Sequence, residues 1–340
     1  MTEVSPPGRN QRQSGSQTLE DLACAYWHSE VLFAALELGL FAHLDHGPLT
    51  LPALARAANC RPGPLGRLLP ALAQLGLLDD GPDGWRNQPL ASRHLVPGAT
   101  AYLGDFLLYR RYLQPSWQEL ATTVAGRATD PALSRQDDYP TRNLHYVRAL
   151  DQLARVKAAE IAALLAEVPW QGPILDLGGG AGALGRALIR QQPTPATLFE
   201  LPEVVAAARS LYPDPADWQG LSTLSGDFRS QAFSDHDRFG LIIMANFLHT
   251  YDATEARECL AKAVSLLRAG GHLLIHDYCP DRTVVKGQLY DLNMLLNTAR
   301  GHCHQAELLC AWLRAASLNN PRVLDLPSDS SLIIAQRPPC

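Results

Sequence analysis

An apolar run ends in an acid and turns through glycines at Pro173-Ile174-Leu175-Asp176-Leu177-Gly178-Gly179-Gly180-Ala181-Gly182, just before a helix-forming segment from Ala183 to Arg190. That order predicts a strand, a tight turn and a helix start. Glycine there allows positive φ and close approach of a ligand to the backbone. Two ligand chemistries fit. Gly180, Gly182 and Gly185 spell the G-x-G-x-x-G dinucleotide fingerprint, and Glu200 closes the next apolar run, Ala196 to Phe199, where a ribose-binding acid belongs. The other chemistry fits better. Asp176 extends the motif to D-x-G-x-G-x-G, and a carboxylate there suits the aminoacyl end of a cationic sulfonium better than it suits a pyrophosphate. Gly226-Asp227-Phe228 stands where a third strand should end, offering an acid and a ring to an adenine. The expected ligand is S-adenosylmethionine, held by Asp176, Gly178 and Gly180, with its ribose on Glu200 beside Leu201 and its adenine near Asp227 and Phe228.

A ligand carrying an activated methyl group asks the protein to position a nucleophile and to remove its proton. A phenol, with a pKa near about 10, needs a nearby base for this. His249 is the candidate. It follows the apolar run Leu241 to Ala245, and the carboxyl ends of parallel strands are where such folds present binding residues. The cluster His302-Cys303-His304, with His249, His276 and Cys279 elsewhere, raises the possibility of a metal, but spacing fixes no third ligand and none is expected. A wall for the acceptor, or simple loop polarity, are the other readings of that cluster.

The elements that must position these residues follow from periodicity. Residues 170 to 340 alternate strand and helix patterns, as in a doubly wound parallel sheet of the α/β class. The end departs from that alternation: Arg322 to Leu326 and Leu332 to Gln336 read as a closing hairpin about Pro327-Ser328-Asp329-Ser330. A helix end, a glycine turn and a strand are expected over Leu267 to Ile275. Tyr102 to Leu120 and Tyr139 to Glu167 predict longer linking helices. In the first hundred residues, Leu19 to Leu44 is apolar at helical spacing. Leu51 to Ala58 and Pro64 to Leu75 predict short helices separated by Pro62-Gly63, and Gly76 to Trp85 predicts a hairpin. Helices followed by a β wing make a winged helix. Its candidate recognition helix carries one base, Arg67, and the net charge is −5, so nucleic acid is not the expected partner.

Taken together, these motifs resemble those of the S-adenosylmethionine-dependent O-methyltransferases of the acetylserotonin, hydroxyindole and caffeate type. The glycine loop, Gly226-Asp227-Phe228, Asn246-Phe247-Leu248-His249, Gly270-Gly271 and Gln288-Leu289-Tyr290-Asp291-Leu292-Asn293-Met294-Leu295 match in order from about Leu19 to the end. The resemblance implies a class I methyltransferase sheet preceded by a winged-helix dimerisation domain, hence a homodimer acting on a small molecule. It implies that His249 is the base and that Asp277, one methylene shorter than the glutamate usual at this position, is its partner. Asn293 and Met294, and more loosely Tyr146 and Leu150, are expected to line the acceptor pocket, with His302 and Cys303 nearby and Asn246 on the cofactor side. Cys303 replaces a second glutamate and Thr250 an aspartate. These losses leave open a carbon or nitrogen acceptor on a larger, tetrapyrrole-like ring. A nicotinamide oxidoreductase and a non-catalytic regulator are the remaining alternatives.

The expected organisation is a disordered tail over 1–16, the dimerisation domain over 17–98, linking helices over 99–167 and the catalytic domain over 168–340. With 46% hydrophobic and 19% charged residues the composition is that of a globular protein. No apolar run reaches the length of a membrane span, the polar start has no apolar core of a secretory signal, and seven scattered cysteines point to a reducing cytoplasm.

Overall fold

The computed structural model describes residues 15–127, 139–234, 238–327 and 329–339. The expected disordered tail lies outside the described residues up to position 14. Gly15 and Ser16 already belong to the first helix.

The chain divides into two compact units, the first ending at Gly104 and the second beginning at Asp105. In the first, the single helix expected over Leu19 to Leu44 is three: α1 (Gly15–Cys24), α2 (Tyr26–Glu37) and α3 (Leu40–His43). Gly39, at φ 64°, breaks the last two apart. Then come α4 (Leu51–Ala57), α5 (Pro62–Gln74), the hairpin β1 (Leu78–Gly81) and β2 (Gly84–Asn87), and α6 (Pro89–His94). Pro62 opens α5 rather than separating two helices, because the first turn of a helix needs no N–H from it. Phe41, Leu54, Leu69 and Leu72 form the buried centre of this unit.

The second unit begins with α7 (Gly104–Gln118), α8 (Leu120–Val124) and the long α9 (Tyr139–Leu165). β3 (Ile174–Leu177), α10 (Ala183–Gln191), β4 (Ala196–Glu200), α11 (Pro202–Leu211), β5 (Leu221–Ser225), β6 (Phe239–Ala245), α12 (Ala253–Leu266) and β7 (Leu267–Asp277) follow in βα alternation. The chain ends with α13 (Val284–Asn297), α14 (Ala306–Ala315), β8 (Asn319–Leu326) and β9 (Ser330–Gln336). The sheet order is β5-β4-β3-β6-β7-β9-β8. The first five strands are parallel, and β9 inserts antiparallel between β7 and β8 as the closing hairpin. That order is the class I methyltransferase sheet. β3 and β6 are buried along nearly their whole length, as expected of strands covered on both faces. The expected turn near Gly270-Gly271 is instead an irregularity within β7, where pairing jumps from Phe239↔Leu267 to Leu241↔His272. No helix among the described residues is long and apolar enough to cross a membrane.

Candidate active site

A cavity of about 220 Å³ opens at the carboxyl ends of the central strands. At one end lies the turn after β3. Gly178 and Gly180 hold φ of 64° and 60°, and a Cβ on Gly180 would meet nothing within 4 Å. The backbone is therefore bare where a ligand would lie against it. Asp176 is fully buried at the end of β3. Its Oδ2 accepts the Gly185 N–H at 3.2 Å, while Oδ1 finds no partner in the protein. Burial pushes its pKa up to about 6, against the pull of the Gly185 N–H and of Arg186. Glu200, at the end of β4, accepts the N–H groups of Gly180 (3.1 Å) and Leu201 (2.8 Å), yet burial pushes it up to about 7. Two carboxylates short of compensation beside an open glycine backbone fit a ligand with a cationic aminoacyl end and a ribose. A pyrophosphate would meet repulsion there.

The middle of the cavity belongs to the turn after β6. Asn246 takes φ 52°, and the single 3₁₀ turn Leu248–Thr250 follows, placing His249 on the cavity wall. The imidazole is 5% exposed, and its Nδ1 lies 2.5 Å from Asp277 Oδ1 at the end of the neighbouring β7. Asp277 also accepts the Tyr278 N–H. Burial raises the Asp277 pKa, but the His249 ring and these hydrogen bonds outweigh it and hold the group below the usual carboxylate range. The shorter aspartate therefore reaches the ring without difficulty. With Nδ1 held on a carboxylate, Nε2 is the nitrogen left to accept a proton.

The far end is aromatic. Tyr278 and Tyr290 stack with centroids 4.0 Å apart, the His249 ring meets Tyr290 edge-on at 5.5 Å, and Tyr109 packs against Tyr146 at 5.4 Å. All five side chains line the cavity, as do Leu150, Asn293 and Met294.

Several expected residues are not on this wall. Phe228 is 2% exposed and packs edge-on against Phe199, Phe233 and Phe247 in the core. Asp227 faces Arg229, their charged ends 2.8 Å apart. Leu201 is exposed and contributes only its N–H to Glu200. His302 lies 2.9 Å from Asp291 at the surface, and Cys303 is buried against Tyr278 and Met294, its N–H donated to Asp291. The Asp291 carboxylate thus holds this loop in place and keeps both residues off the wall. Among the described residues no three metal-ligating side chains gather. Among the wall residues that the sequence does not single out are Arg110, Asp151 and Lys157, and His276 enters the sequence reading only with the metal-ligand cluster. Each lies in a segment that reads as ordinary amphipathic helix or buried strand.

Comparison with known proteins gives the family. Residues 117–316 match the O-methyltransferase domain and residues 20–97 the O-methyltransferase dimerisation domain. A 3-hydroxy-5-methyl-1-naphthoate 3-O-methyltransferase of Streptomyces sahachiroi is 31% identical over 324 residues, 91% of each chain. This chain is an S-adenosylmethionine-dependent O-methyltransferase. The acetylserotonin O-methyltransferase of Mus musculus is 35% identical to this O-methyltransferase over 319 residues, 84% of this chain and 79% of the mouse protein. The crystal structure of human N-acetylserotonin methyltransferase in complex with SAM superposes on the O-methyltransferase with a TM-score of 0.84 at 24% identity, covering 97% of this chain and all of the human one.

Proposed function

We propose that this O-methyltransferase methylates a hydroxyl of a small aromatic acceptor, with His249 as the general base and Asp277 as its orienting partner. The observation that carries the reading is the buried His249–Asp277 pair, 2.5 Å apart, on the wall of the cavity that also holds Asp176 and the bare Gly180 backbone. Bound S-adenosylmethionine supplies an activated methyl group. The chain does the rest. Asp176 and Glu200 bind the donor, with Asn246 on the same side. Asp277 keeps Nδ1 protonated, so that Nε2 takes the acceptor's hydroxyl proton and the oxygen gains nucleophilic character. The stacked Tyr278 and Tyr290 favour a flat ring, and Tyr146, Leu150, Asn293 and Met294 enclose it. The naphthoate and acetylserotonin substrates named for the relatives are of this kind.

The unit before Gly104 is assigned as the winged-helix dimerisation domain, approximately residues 17–98, and the active form is a homodimer. The helices over 99–167 join it to the donor-binding domain over 168–340.

His249→Ala should lower turnover roughly 10²–10⁴-fold and leave donor affinity, read by calorimetry, unchanged. A variant with full turnover would overturn the base assignment and favour methylation at carbon, where no strong base is needed.

A further inference from the structure

The base sits on a weak piece of backbone. Leu248–Thr250 is a single 3₁₀ turn, closed by the Thr250 N–H to Phe247 O and the Tyr251 N–H to Leu248 O, both at 3.2 Å. Such turns have poor hydrogen-bond geometry and gain from outside support. Asp277 holds Nδ1 of His249, but where the ring stands in the cavity depends on this turn. Support comes from the segment Gly301–His304, which follows α13. The His302 N–H donates to His249 O at 2.9 Å. The His304 ring, 3% exposed and packed against Trp312 with centroids 5.2 Å apart, places Nε2 3.2 Å from Leu248 O. A carbonyl only accepts, so Nε2 carries the proton and donates it. Burial lowers the pKa of His304 against the pull of that carbonyl, which keeps the ring neutral. Gly301 lets the segment come this close, since a Cβ there would lie 2.6 Å from His249 O and would run into Thr298.

The segment is anchored in turn on α13. Asp291 accepts the Cys303 N–H at 2.7 Å and lies 2.9 Å from His302 Nδ1. The Thr298 hydroxyl donates to Met294 O and accepts the Gly301 N–H, both at 2.7 Å. Tyr290, Asn293 and Met294 of the same helix line the cavity. Hydrogen bonds thus run without a break from the aromatic end of the cavity to the backbone of the base.

We propose that His304 is a positioning residue for His249: together with the His302 N–H it braces the turn that carries the base and ties the aim of the imidazole to α13. His304 is not on the cavity wall, so it acts through His249 and does not touch the acceptor. The role of His249 as base is the reading above, on which this proposal rests. A misplacement of about 1 Å is enough to cost on the order of 10²-fold in rate.

Two measurements separate the brace from the base. In the full chain loaded with S-adenosylhomocysteine, NMR follows the exchange of the His249 Nδ1 proton with water, the signal being assigned by its loss in His249→Ala. This needs no acceptor. His304→Met fills the space and cannot donate, and it should speed the exchange at least tenfold. His304→Gln keeps an N–H donor and should stay close to wild type. Gly301→Ala pushes the segment off the His249 carbonyl, should behave like His304→Met, and decides if that variant does not fold. Turnover is then measured with 3-hydroxy-1-naphthoate and corrected for the folded fraction. His304→Met should lower kcat at least tenfold with KM nearly unchanged, and His304→Gln should restore it. A wild-type proton that already exchanges too fast to observe, or an exchange rate unchanged in both His304→Met and Gly301→Ala, would overturn the brace. So would a loss that appears in KM alone, or one equally large in His304→Gln. Unchanged exchange with turnover lost in His249→Ala leaves the base standing and overturns the brace. Faster exchange with kcat unchanged leaves the brace standing and overturns His249 as the base.

Discussion

Glu200 accepts two backbone N–H groups and is still pushed up to about 7 by burial, with Asp176 and Glu203 adding to the rise. Ribose hydroxyls donate hydrogen bonds, and donors favour the ionised carboxylate, so donor binding should lower this pKa again. Near neutral pH, binding should therefore release a proton, and affinity should climb as pH rises towards 7 and level off above it. The sign for the empty protein is the reverse. The folded-state pKa lies above the unfolded one, so between the two the folded chain holds more protons, and this group's contribution to stability falls as pH rises. Glu200→Gln should abolish the proton release and weaken binding by roughly 1–3 kcal/mol, from lost hydrogen bonds to a charged acceptor. Calorimetry in two buffers of different ionisation enthalpy reads both effects. Binding enthalpy that does not depend on the buffer in wild type would remove Glu200 from the ribose site.

Elements decide which of these residues meet. Asp176 and the glycine turn were legible because one short segment writes the strand, the turn and the acid. His249 and Asp277 lie 28 residues apart. They meet because β6 and β7 are parallel neighbours in register, Ala245 opposite His276, so the chain leaves both strands at the same level. An aromatic at the end of a strand does not reveal which face it takes, and Phe228 takes the core face. The Lys157–Ser330 contact spans 173 residues and depends on β9 inserting beside β7, which no local pattern specifies. The segment after His249 shows how local chemistry fixes such a turn. Asp252 accepts the N–H groups of Thr254 (2.9 Å) and Glu255 (3.0 Å), capping α12 and ending the 3₁₀ turn that carries the base. Asp252→Ala should cost about 1 kcal/mol of stability in urea unfolding. Donor affinity should be preserved, since neither Asp176 nor Glu200 depends on that cap. An unchanged unfolding midpoint would show that the cap does not contribute.

At the scale of the whole molecule, the first unit leaves a large apolar surface open. Leu19, Leu22, Tyr26 and Trp27 are 68, 68, 56 and 58% exposed. Leu19, Leu22 and Tyr26 follow one another at intervals of three and four, so in helical segments they share a face. Tyr26 and Trp27 meet edge-on at 6.3 Å, which adds a compact aromatic platform. Side chains of this size, uncovered and contiguous, mark an association surface. They also fall within or beside the residues that match the O-methyltransferase dimerisation domain. A second copy of the chain is the partner that this match implies, and a two-fold interface would bring the same four side chains from each copy into one patch. Leu22→Glu combined with Trp27→Glu should place like charges and desolvated carboxylates in that patch and give a monomer by light scattering. The helical signal in circular dichroism should persist, because none of the four side chains is in the buried centre formed by Phe41, Leu54, Leu69 and Leu72. A double variant that remains a dimer would move the interface away from α1 and α2. A wild-type protein that scatters as a monomer would remove the homodimer altogether.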